Sequence, residues 1–317
     1  MEFWIVIGVL IFIALFIFVT SYICFRMAFY APRKESLNKE EFALPDGEIY
    51  KKYESVLKGW MKEVKEIPYE DVEITSFDGL TLHGKFYEYA KGAPVELMFH
   101  GYRGNADSDL CGGVKRCFKL GCSVLLVDHR TAGKSQGSII SFGINESRDC
   151  ERWIEFLNQK FNNDVKIILT GISMGAATVM MTAGKSLPKT VVGVIADCGY
   201  TSPKEIIKKV IKDMRLPENI AYPFVKLGAK IFGHFNLEED SPIEAVKRAQ
   251  VPIIFFHGEA DDYVPCYMSQ KNYEACISRK WLVTIQGAGH GLAYVVDPDK
   301  YLSSLKEFYS VVLNDKE

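Results

Sequence analysis

Six short apolar runs most constrain what this chain can become. VELMFH, SVLLVDH, VKIILTG, VVGVIAD, VPIIFFH and WLVTIQ follow one another between residues 95 and 286. Stretches with helical periodicity lie between them, among them INESRDCERWIEFLNQKF; a further one, YLSSLKEFYSVVL, closes the series. Each run is too short for a helix and too apolar to have a face in water, so it reads as a strand covered on both sides. Strands alternating with helices predict an α/β fold with a mostly parallel sheet. Ahead of them, DVEITSF and LTLHGKFYEY flank the Asp78-Gly79 turn and read as an antiparallel hairpin. In such sheets ligands bind beyond the carboxyl ends of the strands, so chemistry is expected there.

The third run leads into LTGISMGAA, Leu169 to Ala177, where Ser173 stands between Gly171 and Gly175. The stretch from Met174 onward is small, apolar and free of proline, which predicts a buried helix. A strand-to-helix turn this tight leaves no room for side chains on its flanks, and G-x-S-x-G satisfies that demand. A single such motif is weak, and the other strand ends carry the rest. VELMFH ends in HGYRGN, a loop able to aim the backbone N–H of Tyr102 at a developing oxyanion, with that of Met174 as second donor. His100 reads as a structural histidine holding this loop, and Asp128 and Arg130 as braces after SVLLVDH. VPIIFFH leads into HGEADDYVP, and WLVTIQ into GAGHG, whose glycines free His290 to reach over the serine.

Serine, acid and histidine in that chain order resemble the α/β-hydrolases over nearly all of Tyr69 to Leu313. HGYRGN, DHRTAGKS, GISMGA, HGEADDYVP and GAGHG carry the resemblance, which is nearest to bacterial esterases and serine-aminopeptidase-like hydrolases. It implies Ser173 as nucleophile, His290 as base and Asp261 as the orienting acid, with no metal or organic cofactor. Asp262 and Asp197 remain alternative acids. Thr131-Ala132 departs from a glycine-containing pair in the family pattern.

The N-terminus is a separate object. From Phe3 to Cys24 the chain carries no charge, and a helix of that length spans about 33 Å, enough for a hydrocarbon core of about 30 Å. The run is long for a signal peptide, no basic residue precedes it, and no A-x-A site follows. Glu2 lies on one flank and Arg26, Arg33 and Lys34 on the other, which predicts a single-pass signal anchor with the body on the cytoplasmic side. Eight cysteines without C-x-x-C spacing read as buried thiols. A net charge of −2 with no basic stripe gives nucleic acid no field to follow.

The expected organisation is an anchor at 1–24, a linker and amphipathic helix at 25–68, and a hydrolase domain at 69–317. In the linker region Ile49, Tyr53, Val56, Trp60 and Val64 recur at helical spacing and are expected to cover part of the body. The segment from about 198 to 250 is too long for a structureless loop and reads as a small helical cap. In it Tyr222, Phe224, Val225, Leu227, Ile231 and Phe232 are expected mostly to pack the cap onto the body. Thr201 to Phe235 holds seven Lys or Arg against three Asp or Glu, read as a solvated face or a match for anionic headgroups.

The function expected is a membrane-anchored serine hydrolase acting on acyl or aryl carboxylic esters, its partners a small-molecule or lipid-like ester and the membrane, not nucleic acid. Peptidase or thioesterase activity is the enzymatic alternative, and an inactive membrane scaffold the contrasting one. Because every site residue lies beyond Tyr69, a chain beginning near Glu35 is expected to stay active on water-soluble esters.

Overall fold

A computed structural model of the chain describes residues 1–32 and 48–314. Residues 33–47, with Arg33, Lys34 and most of the expected linker, lie outside the described residues, as do 315–317. The N-terminal helix α1 (Glu2–Ala28) is followed by α2 (Glu48–Lys51) and α3 (Glu54–Glu66). The hairpin β1 (Glu70–Thr75) and β2 (Thr81–Tyr87) leads to β3 (Val95–Phe99), α4 (Ala106–Asp109), α5 (Gly113–Lys119) and β4 (Ser123–Val127). Then come α6 (Ile144–Lys160), β5 (Ile167–Ile172), α7 (Met174–Ala183) and β6 (Val191–Asp197). The segment predicted as a cap holds α8 (Pro203–Asp213), α9 (Glu218–Phe232) and α10 (Pro242–Val246). The chain closes with β7 (Ile253–Gly258), α11 (Tyr267–Ala275), β8 (Lys280–Ile285), α12 (Ala293–Val296) and α13 (Pro298–Val312).

All eight strands form one sheet in the order β1-β2-β4-β3-β5-β6-β7-β8. Only the pairings of β2, with β1 and with β4, are antiparallel. The others are parallel, with Leu97 beside Leu125 on one side and Leu169 on the other. Alternate residues supply the two faces, as a period of two requires. Val95, Leu97 and Phe99 join Trp153, Leu157 and Val179 of α6 and α7 on one face. Met98, Ile168, Ile254 and Phe256 meet Val114, Leu305 and Phe308 on the other.

A third apolar cluster sits above the sheet and joins three parts of the chain. Phe25 and Phe29 from the end of α1 pack with Ile206, Tyr222 and Val225 of the cap and with Met174 and Met181 of α7. Gly228 of α9 lets the two helices approach: a Cβ there would overlap the Ser21 carbonyl and crowd Phe25. Around that crossing Phe16 meets Phe224, and Phe18, Tyr22 and Phe25 surround Phe232. Tyr222 and Val225 are buried and Ile231 is exposed. The cap lysines are partly neutralised, Lys204 and Lys226 by Glu238 and Lys209 by Asp213.

Two expectations change here. The helix continues past residue 24 to Ala28, because Arg26 folds back over the Tyr30 ring, 3.9 Å from its centroid, while Phe25 and Phe29 turn inward. The last turn of α1 therefore packs against the body, although every residue expected in the site still lies beyond Tyr69. The stripe from Ile49 to Val64 is split between α2 and α3. Its two ends still cover the body: Ile49 lies against Gly289, and Trp60 stacks on Tyr294 with centroids 5.2 Å apart.

Candidate active site

Ser173 sits at the turn from β5 into α7 with φ 57° and ψ −114°. A non-glycine residue is strained there and persists only where its surroundings dictate it. Here they do. A Cβ on Gly171 would run into the backbone of Gly175, and one on Gly175 into the Phe99 carbonyl. The Ser173 N–H is held by the Asp197 carbonyl at 2.8 Å. The serine is thus lifted off the strand end, nearly buried at 5% exposure.

The loop after β8 brings His290 to it. His290 Nε2 lies 2.9 Å from Ser173 Oγ, and Nδ1 lies 2.7 Å from Asp261 Oδ2. From the loop after β7, Asp261 takes its place with a fully buried carboxylate. Its Oδ1 accepts the backbone N–H groups of Tyr263 (3.0 Å) and Val264 (2.8 Å). Burial opposes its ionisation, but hydrogen bonds from His257, His290 and the Val264 N–H outweigh that and hold the carboxyl at about 2. It is a carboxylate throughout the neutral range.

The two alternative acids point elsewhere. Asp262 is exposed, and its carbonyl oxygen accepts from Lys209 Nζ of the cap. Asp197 is buried beneath the site, accepts the Tyr301 hydroxyl at 3.0 Å, and is raised by its burial. Among the described residues, Asp261 is the acid hydrogen-bonded to His290.

The loop after β3 lies beside the serine, where a Cβ on Gly101 would come 3.6 Å from Ser173 Cβ. The N–H of Tyr102 and that of Met174, the first residue of α7, have no acceptor among the described residues. His100 is bonded on both ring nitrogens, to the Gly101 carbonyl (2.8 Å) and the His129 N–H (3.0 Å), the loop-holding role its position suggested. Asp128 accepts from the Ala106 N–H, and Arg130 is forked onto Asp149 and Asp78.

Several further residues shape the site. The Tyr50 hydroxyl donates to the His290 carbonyl at 2.8 Å, fixing the histidine loop from α2. His257 Nε2 reaches the Val264 carbonyl at 2.7 Å and bolsters the acid's turn. The Tyr263 ring meets His290 edge-on at 5.1 Å, and Tyr102, Phe142 and Tyr200 form an aromatic row. Of these, His257 and Tyr263 lie in HGEADDYVP and Tyr102 in HGYRGN, whereas Tyr50, Phe142 and Tyr200 had no signal. Cys198, Asp261 and His290 have donor atoms within 4.8 Å of one another. The histidine and acid are already bonded to each other, and burial pushes the Cys198 thiol well above its ordinary value. All eight cysteines are free thiols.

A family model described as the alpha/beta hydrolase fold matches residues 95–220. YqkD of Bacillus subtilis is 29% identical over 190 residues, covering 60% of this chain and 62% of YqkD. The chain thus spans less than two thirds of that relative. The alpha/beta hydrolase domain-containing protein WAV2 of Arabidopsis thaliana is 28% identical over 245 residues, 72% of this chain and 75% of WAV2. Among solved structures, a Pyrococcus furiosus esterase superposes with a TM-score of 0.63 at 24% identity, covering 78% of this chain and 92% of its own.

Proposed function

This chain is an α/β-hydrolase by fold, and on that premise we propose that it is a membrane-anchored serine hydrolase cleaving carboxylic esters. One observation carries the proposal: Ser173, His290 and Asp261 are linked in series at 2.9 and 2.7 Å on three separate strand ends. A serine hydroxyl is a weak nucleophile until a base accepts its proton. His290 Nε2 takes that proton as Ser173 Oγ bonds to the ester carbonyl carbon. The carbonyl oxygen becomes an oxyanion facing the N–H groups of Tyr102 and Met174. His290 then protonates the leaving alcohol as its bond to carbon breaks, and water repeats the sequence to release the acid. Asp261 keeps a proton on Nδ1 and stabilises the imidazolium.

Esters are favoured over peptides by what surrounds the triad. Tyr102, Phe142, Tyr200 and Tyr263 are aromatic, whereas an amino terminus would need carboxylates. Membrane attachment is supported by α1, which is long and apolar enough to cross a bilayer and exposes most of its apolar side chains. Its packing through Ser21, Phe25 and Phe29 favours a retained anchor over a cleaved leader. The acidic Glu2 and basic Arg26 flanks favour the cytosolic face for the body.

The test is turnover by the purified full chain of a panel of esters, thioesters and aminoacyl amides, beside Ser173→Ala and His290→Ala. Esters should be the best substrates. Each variant should lose something like 10⁶-fold in kcat, with the double variant little worse, since the pair acts as a unit. Amides turned over faster than esters would reverse the substrate assignment, and full activity in Ser173→Ala would remove the mechanism.

A further inference from the structure

The last carbonyls of a helix have no partner inside it and must find donors elsewhere. At the end of α1 those donors come from the loop after β3. The Tyr102 hydroxyl donates to the Ala28 carbonyl at 2.7 Å. Arg103 Nη2 reaches the Met27 carbonyl at 2.9 Å and the Tyr30 carbonyl at 3.2 Å, while its Nε donates to the Tyr102 hydroxyl at 2.8 Å. A cation at this position also suits the negative end of the helix dipole. Arg103 takes a left-handed backbone, φ 56°, to make these contacts. The chain beyond the helix is pinned as well: Ala31 N–H donates to the Ser138 carbonyl and Ile140 N–H to the Phe29 carbonyl. The Tyr102 ring lies on Phe142, centroids 5.0 Å apart, and Phe142 packs edge-on against Phe29 at 5.7 Å.

The proposed reaction requires the N–H of Tyr102 itself to face the oxyanion. The peptide that carries it has the Gly101 carbonyl at its other end, which meets His100 Nδ1 at 2.8 Å. Asp109 Oδ2 accepts the N–H of the preceding peptide, that of Gly101, at 3.0 Å, and the end of α1 holds the Tyr102 side chain. We infer that Arg103 is a positioning residue: it and the Tyr102 hydroxyl clamp the oxyanion loop onto the end of the anchor helix, which makes that helix a working part of the site. The inference rests on the proposed role of the Tyr102 N–H. It assigns the anchor a task that a tether does not have, because the clamp acts on any ester, including one dissolved in water.

The test uses the full chain in detergent micelles with a short, uncharged, water-soluble aryl ester. Arg103→Ala should lower kcat by up to about 100-fold, the scale of a misplaced catalytic group and less than the loss of a donor outright. KM should stay within about twofold, because the guanidinium is taken up by the Tyr102 hydroxyl and the Met27 and Tyr30 carbonyls. Arg103→Lys should recover part of the loss, since one ammonium replaces a fork of donors. Tyr102→Phe should reduce kcat in the same direction by a smaller factor. The double variant Tyr102→Phe/Arg103→Ala should be little worse than Arg103→Ala, as the two side chains share one network.

Unchanged kcat in both single variants overturns the inference, and so does a rise in KM alone, which would make Arg103 a substrate contact. If Arg103→Ala loses its melting transition, Tyr102→Phe, which removes one hydroxyl, decides with the same readout. Ser173→Ala in the same assay separates the two levels: retained activity there defeats the serine mechanism, whereas its loss beside an unaffected Arg103→Ala defeats the clamp alone.

Discussion

The two sides of Ser173 are built on different plans. On one side, His290 and Asp261 hang from turns that follow β8 and β7; the acid's turn is held by its own neighbours, and the histidine's is also tied to α2 through Tyr50. Asp261 accepts N–H groups two and three residues ahead, and His290 stands between Gly289 and Gly291. On the other side, Tyr102 depends on carbonyls more than 70 residues back along the chain. The proposed acid–base side thus rests on the sheet and, through one hydroxyl, on α2, and the proposed oxyanion side on the sheet and the end of α1. Two side chains, Tyr102 and Arg103, tie the loop after β3 to the end of α1, whereas a single hydroxyl ties the histidine loop to α2. Among the described residues, α1 is the one helix long and apolar enough to span a membrane.

Short of removing His290, the largest effect expected from breaking one side alone is at the acid. Asp261→Asn should leave the fold intact but present the wrong histidine tautomer, costing on the order of 10⁴-fold in kcat. Asp262→Asn should cost less than about tenfold, because its side chain is not bonded to His290. Steady-state kinetics on one ester distinguishes them, and the reverse order would shift the acid by one residue.

The brace can be loosened away from the chemistry. Gly228→Leu would force α9 off Ser21 and Phe25. Overpacking of this kind should destabilise by about 1–3 kcal/mol. If the anchor braces only the oxyanion side, kcat should fall while the pH profile of activity, set by the histidine and acid, keeps its shape. A distorted profile would mean that the two sides are not separate.

The smallest effect is expected at Thr131, where the sequence departs from the glycine-containing family pattern. The structure keeps a left-handed conformation there, φ 77°, which a β-branched residue tolerates poorly. Thr131→Gly should therefore raise stability, by up to about 1 kcal/mol, with kcat unchanged. A lower melting temperature in this variant would show that the threonine side chain contributes more than its backbone strain costs.

The sequence made the two plans unequally visible. The strands were legible because each is a buried run of branched and aromatic residues bounded by polar turns. Their order was not, since nothing in SVLLVDH says that it lies between the hairpin and VELMFH. Ser173 and His290 stood out at strand ends beside glycines, and the family resemblance supplied their roles. The acid stayed open among Asp261, Asp262 and Asp197, and in the structure Asp261 is the one bonded to His290. The clamp was hidden because its acceptors are main-chain carbonyls, which every residue carries. The first charge after the apolar run, Arg26, also marked an end that the helix does not respect, since its side chain folds away while Phe25 and Phe29 are buried. Tyr50 was hidden for a related reason: its hydroxyl reaches the His290 carbonyl across 240 residues.

The central claim is that Ser173 is a nucleophile activated by His290. A fluorophosphonate probe added to the full chain, followed by peptide mapping, tests it most directly. A single adduct is expected on the peptide containing Ser173, absent in Ser173→Ala and formed far more slowly in His290→Ala. An adduct on another serine, or undiminished labelling of the Ser173→Ala chain, would contradict it.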